Sequence, residues 1–145
     1  MVRKTVWTLL AVVGMVAGLA WVDRAVSSPM QEVSKPTYKP VSQVQFLMEG
    51  QKMHFKAAAG MVKNKNAEER YEHIQMNAEV LAELANVNTY NKDKEDYRRW
   101  AAQVRDLALK LSAEAGKESK ADENTMRKIL TEINDTCVSC HDVYQ

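Results

Sequence analysis

The sequence predicts an all-α protein, an antiparallel up-down-up-down four-helix bundle, on three observations. Between Val41 and Gln145 apolar residues recur at steps of three and four in four separate segments, and no segment alternates as a strand would. Each segment is about 20 residues long, enough for a helix that buries one stripe. The connections between them are short, which favours antiparallel neighbours.

The first segment has Ser42 as N-cap with Gln45 three residues on, a capping-box pattern. Its stripe runs Val44, Leu47, Met48, Phe55, Ala58 and Val62 before Asn64 to Asn66 break it. The second takes Asn66 as cap with Glu69 at the reciprocal position, and carries Tyr71, Ile74, Ala78, Leu81 and Ala85. A loop from Asn86 to Asn91 follows. The third is capped by Asp93, presents Tyr97, Trp100, Ala101, Val104, Leu107, Leu111 and Ala115, and ends at Gly116. The fourth, after Asp122, reads Met126, Leu130, Ile133, Cys137, Cys140 and Tyr144, an unbroken a/d seam.

That last seam carries the chemistry. Cys137-Val138-Ser139-Cys140-His141 contains both cysteines of the chain. Two thiols at this spacing, with a histidine next, are the requirement for covalent attachment of a c-type haem. Each thiol adds to one vinyl group of the porphyrin, and the imidazole of His141 binds the iron. Both cysteines lie on the buried stripe, and His141 is only about 40° round the helix from Cys137. The haem is therefore expected to face the bundle interior, near the C-terminus, and the apoprotein to be loosely packed without it.

Three other readings use the same residues. A redox-active dithiol normally opens a helix in a βαβ unit, and no strand is predicted here. A structural zinc site needs four ligands, and beyond His141 only His54 and His73 remain. A plain disulfide is the third, and it suits an exported protein.

Residues 1–27 are expected to be a signal peptide or an N-terminal membrane anchor. Arg3 and Lys4 precede an apolar run from Thr5 to Val22, flanked by Trp7 and Trp21. The run is long for a cleaved leader and just long enough to span a bilayer, and Ala25-Val26-Ser27 offers a small-x-small cleavage site. Removal and retention as a tether through residues 5–22 both stand. Either way the domain is expected in the periplasm, because charge bias keeps Arg3 and Lys4 inside and haem attachment to such motifs is extracytoplasmic in bacteria. Residues 28–40 hold all three prolines, Pro29, Pro36 and Pro40, and read as an extended linker. Residues 41–145 form one domain with a modest core.

Charge is balanced, 20 basic against 19 acidic residues. Removing residues 1–27, with Arg3, Lys4, Arg24 and Asp23, leaves 17 basic and 18 acidic. A nucleic-acid partner would call for a basic stripe, and none is present. Glycines are few and unclustered, and no nucleophile stands in a recognisable catalytic motif, so no enzymatic activity is expected.

A helical bundle of this size with Cys-x-x-Cys-His near its C-terminus resembles the class II cytochromes c, which include cytochrome c prime and its low-spin, methionine-ligated relatives. The resemblance covers Val41 to Gln145, including Cys-x-x-Cys-His-Asp-x-Tyr from Cys137 to Tyr144. A family pattern Arg-Gln-x-x-Met on the first helix is similar to Val44-Gln45-Phe46-Leu47-Met48, which maps the distal methionine onto Met48. Val44 stands where the family has arginine, a residue that often meets a haem propionate; Lys52 or Lys39 is the substitute cation. The resemblance implies one covalent haem c, with iron held by His141 and Met48, and electron transfer with redox partner proteins. If Met48 is core filler instead, as stripe methionines often are, the iron is five-coordinate and takes nitric oxide or carbon monoxide. Family members also pair through their first two helices, so a homodimer is implied. His54 and His73 are expected at the surface. Tyr97 and Trp100 are core positions that could also pack on a porphyrin.

Overall fold

The computed structural model describes residues 38–144. The expected leader and most of the linker, residues 1–37, lie outside the described residues. Four α-helices and one short 3₁₀ turn make up the fold: α1 (Val44–Lys63), α2 (Arg70–Asn88), α3 (Glu95–Ala115), the turn Glu118–Lys120, and α4 (Glu123–Tyr144). No strand occurs among the described residues. No described helix is long and apolar enough to cross a membrane.

Each helix packs against the next, and α1 meets α4 only sparsely. Side-chain pairs fix the directions. Along α1 and α2, Gln51 donates to the Leu84 carbonyl at 3.4 Å and His54 meets Asn77 at 2.9 Å, so one index rises as the other falls. The same antiparallel register links α2 to α3, through Tyr97 with Asn88 and Ser112 with Glu79. Tyr97 and Trp100 of α3 stack on Tyr144 at the far end of α4. Gly50 lets Leu84 of α2 pack close against α1, since a Cβ there would lie 3.0 Å from Leu84 Cδ1.

The core is built from the expected stripes. Ala58, Val62, Ile74, Leu81, Leu107, Leu111, Met126 and Ile133 form one buried cluster. It lies toward the end of the bundle where α1 finishes and α4 begins. On the other half of α1 the stripe is not covered: Val44 is 37% exposed, and Met48 and Phe55 are half-buried. The sparse α1–α4 contact leaves that half facing a cleft.

Helix starts depart from expectation at three of four positions. The Ser42 capping box does not form; Gln43 occupies the N-cap, and Gln45 donates to the Gln43 side chain at 3.0 Å. α2 begins at Arg70, four residues after the expected cap Asn66, following Glu69 in the left-handed region at φ 49°. A tertiary contact sets that start. The Arg70 guanidinium is 7% exposed and donates to the Met61 and Val62 carbonyls at 3.0 Å each, and to Glu123 at 3.1 Å. It thus satisfies two carbonyls that the last turn of α1 would otherwise leave without partners. Lys94, not Asp93, precedes α3, and the exposed Asp93 carboxylate accepts from Arg98 at 3.0 Å rather than capping the helix. Asp122 does cap α4, accepting from the Asn124 and Thr125 amides at 3.0 and 3.3 Å. Gly116 ends α3 in the right-handed region, so its conformational freedom is not used.

Candidate functional site

The cleft between α1 and α4 has a volume of about 630 Å³. That lies within the range of small-molecule and cofactor pockets. One wall is α1, with Val44, Met48, Lys52 and Phe55; the other is α4, with Ile133, Cys137, Cys140, His141 and Tyr144. Leu81 and Tyr97 form the floor, and Lys92 reaches in from the α2–α3 loop. All four residues singled out from the sequence, Cys137, Cys140, His141 and Met48, line this one space. Helix periodicity accounts for the α4 wall, because Cys137, Cys140, His141 and Tyr144 fall at steps of three, one and three on one side of the helix.

Both thiols are free. Cys137 is half-buried and Cys140 is 8% exposed. Burial, and secondarily Cys140, pushes the Cys137 thiol up to about 11. Burial also raises Cys140, against an opposing pull from Lys92. The pair sits in the last two turns of α4, at the negative end of the helix dipole. A redox dithiol has the opposite setting, a helix N-terminus that lowers the thiol pKa. No group of three or more His, Cys, Asp or Glu side chains that could hold a metal converges among the described residues, so the cysteines lack the donor set of a zinc site. His141 is exposed at the mouth of the cleft.

Aromatic and polar side chains close the end of the cleft. The Tyr97 and Tyr144 rings meet edge to face with centroids 5.3 Å apart, and Trp100 stacks on Tyr144 at 6.1 Å. Lys92 Nζ lies 4.8 Å from the Tyr144 ring centroid and 5.7 Å from that of Tyr97, inside cation–π range. The Tyr144 hydroxyl donates to Asp96 at 2.6 Å. That bond holds the Asp96 carboxyl below its ordinary value and pushes Tyr144 up to about 12. Burial pushes Tyr97 to about 12 as well, while its hydroxyl donates to Asn88 at 2.7 Å. Both phenols therefore stay protonated donors at neutral pH. A narrow second cavity continues past Met48 to Asn88 and Trp100.

Of the two cations expected to replace the missing arginine, Lys52 lines the cleft, within 3.3 Å of Glu49. Lys39 does not. Lys56 and Lys92 also line it, and neither was foreseen. Their periodicity carried no signal: Lys56 follows the stripe residue Phe55, and Lys92 belongs to a loop. His73, expected at the surface, is half-buried, its side chain 41% exposed and 4.0 Å from Glu69. His54, also expected there, is half-buried. Asn77 donates to the His73 carbonyl at 2.7 Å, which turns its oxygen toward His54 and makes His54 Nδ1 the donor.

Compared with protein-family models, curated proteins and solved structures, the chain matches none of them.

Proposed function

We propose that this chain is a monohaem c-type cytochrome of the class II type, an electron carrier that works outside the cytoplasm. One haem is attached through Cys137 and Cys140, with His141 as proximal and Met48 as distal ligand. A single observation carries the reading: one cleft collects two thiols a helical turn apart, the adjoining imidazole and, from the opposite wall, a thioether. The residues fit the group. Val44, Phe55, Leu81 and Ile133 offer apolar surface to a porphyrin ring, while Lys52, Lys56 and Lys92 offer cations to its two carboxylates.

When bound, haem supplies an iron that gains and loses one electron without further chemistry. The chain's own residues do the rest. Cys137 and Cys140 fix the ring to α4, so the cofactor cannot leave. His141 supplies imidazole from the same helix, and Met48 supplies the soft ligand that raises the potential. Leu81, Tyr97 and Ile133 would exclude water from the cleft, and Lys92, held over two aromatic rings, would be available to pair with a haem carboxylate. Redox partner proteins would approach on the open side, between Val44 and Val138.

The absorption spectrum tests this. A low-spin reduced spectrum that becomes high-spin on Met48→Ala is the expected result; a high-spin spectrum in the unaltered protein contradicts Met48 ligation. The second reading is a five-coordinate haem that binds nitric oxide or carbon monoxide. The Val44 and Phe55 side chains beside Met48 favour it, since an uncharged gas needs no polar partner. Ready carbon monoxide binding to the reduced, unaltered protein is its signature.

A further inference from the structure

We propose that Asn88 is a positioning residue for the axial thioether: its amide N–H engages one lone pair of Met48 sulfur and thereby turns the other toward the iron. The inference rests on the reading of Met48 as distal ligand. Asn88 ends α2, is 3% exposed, and belongs to no apolar stripe. Its Nδ2 lies 3.9 Å from Met48 Sδ.

Two further bonds accompany that orientation of the amide. Asn88 Oδ1 accepts from the Tyr97 hydroxyl at 2.7 Å and from Asn91 Nδ2 at 2.9 Å. The Tyr97 hydroxyl keeps its proton, and the Asn91 amide can only donate through nitrogen. A flipped Asn88 would set its oxygen against the Met48 sulfur, which has no proton to give, so the bonded arrangement is the one with the NH₂ toward Met48. Tyr97 is 1% exposed, so the donor that locks Asn88 is itself fixed.

A methionine side chain has three rotatable bonds and a sulfur with two lone pairs. Left alone in a half-open cleft it samples several rotamers and offers either lone pair. Met48 lies at the junction of the main cleft and the narrow cavity leading to Asn88. Held from the Asn88 side, the sulfur keeps one free lone pair, and that one faces the wider space. The ligand is thereby ordered before it binds, and in one of its two configurations.

The test uses holoprotein in its unaltered form and as Met48→Ala, Asn88→Leu and Tyr97→Phe variants. Imidazole is titrated against ferric haem, and the Met48 methyl signal is recorded in the reduced state. Asn88→Leu should keep its covalent haem, and imidazole should displace Met48 about twofold more readily, the loss of one weak hydrogen bond to a thioether. The Met48 methyl, single in the unaltered protein, should then average between two sulfur configurations. Tyr97→Phe removes one hydroxyl only and should move both readings the same way by less, which keeps the test available if Asn88→Leu does not fold. Unchanged imidazole affinity and one unchanged methyl configuration, even with stability lowered, would overturn the role of Asn88 while leaving Met48 as ligand. A high-spin unaltered protein indifferent to Met48→Ala would overturn the ligation itself, and this inference with it.

Discussion

Cys137 and Cys140 are alike in spacing but not in surroundings, and the difference is open to measurement residue by residue. Cys137 is half-buried beside the core cluster, whereas Cys140 is under Lys92 and the tyrosines. Attachment through both sulfurs predicts that Cys137→Ser and Cys140→Ser each retain one thioether. The reduced pyridine haemochrome of either variant should shift to longer wavelength than that of the unaltered protein, because one vinyl group remains. A band that does not move would mean that the altered sulfur was not bonded. At this scale the stripe positions that line the cleft were legible in the sequence: Met48, Cys137, Cys140 and Tyr144 follow from helical periodicity. Asn88, Lys56 and Lys92 were not. A buried polar side chain or a loop lysine leaves no periodic trace, and its role depends on which helix end it meets.

Among the elements, the join between α1, α2 and α4 depends on one side chain. Arg70 donates to two α1 carbonyls and to Glu123, which also receives Lys65 at 2.8 Å. Replacing Arg70 by alanine is expected to cost about 2 kcal/mol, since it leaves the Met61 and Val62 carbonyls without their donor while Glu123 keeps Lys65. Lysine should not restore it, because a single ammonium cannot span two carbonyls as the guanidinium fork does. Chemical denaturation of the three proteins checks both statements. Glu123 adds a dependence on acid. Lys65 first, and then Arg70, holds its carboxyl below the ordinary value of 4.5. A carboxyl depressed in the folded state stabilises above its unfolded pKa, and that contribution disappears as pH falls through the folded one. Glu123→Gln should therefore lower stability at neutral pH and flatten the acid limb of the stability curve. An acid limb of unchanged slope would contradict this. Stripes and helix lengths were read correctly from residue spacing, but helix starts were not. Ser42, Asn66 and Asp93 are all good capping residues, and none caps its helix: Gln43 takes the first place, the Arg70 contact sets the second start, and Asp93 accepts from Arg98 instead. Asp122 kept its role because its cap bonds are made within its own helix.

For the whole molecule, packing is uneven. One end holds a continuous buried cluster, and the other holds a cleft of about 630 Å³ lined by Leu81, Tyr97 and Ile133. Truncating Leu111, fully buried at the closed end, to alanine should cost about 2–5 kcal/mol with or without cofactor. Ile133, fully buried in the α4 wall of the cleft, should behave otherwise. Its truncation should destabilise the haem-loaded protein more than the apoprotein, since only the former has a partner packed on that side. Calorimetry of both forms distinguishes the cases, and equal losses at Ile133 would contradict a filled cleft. The haem stays bonded to the chain in both states but packs in the cleft only when the chain is folded, so the loaded form is expected to have the higher Tm. The bundle was legible because four stripes of similar length admit few arrangements. The opening between α1 and α4 was not, because nothing in the α1 pattern distinguishes Val44, Met48 and Phe55 from ordinary core.

The most direct measurement is the intact mass of the protein made in a host competent for haem attachment, taken after denaturation and again for a Cys137→Ala, Cys140→Ala double variant. The account predicts one porphyrin adduct per chain that survives unfolding and is absent from the double variant. An unmodified mass, with both thiols free to titrate, would contradict it.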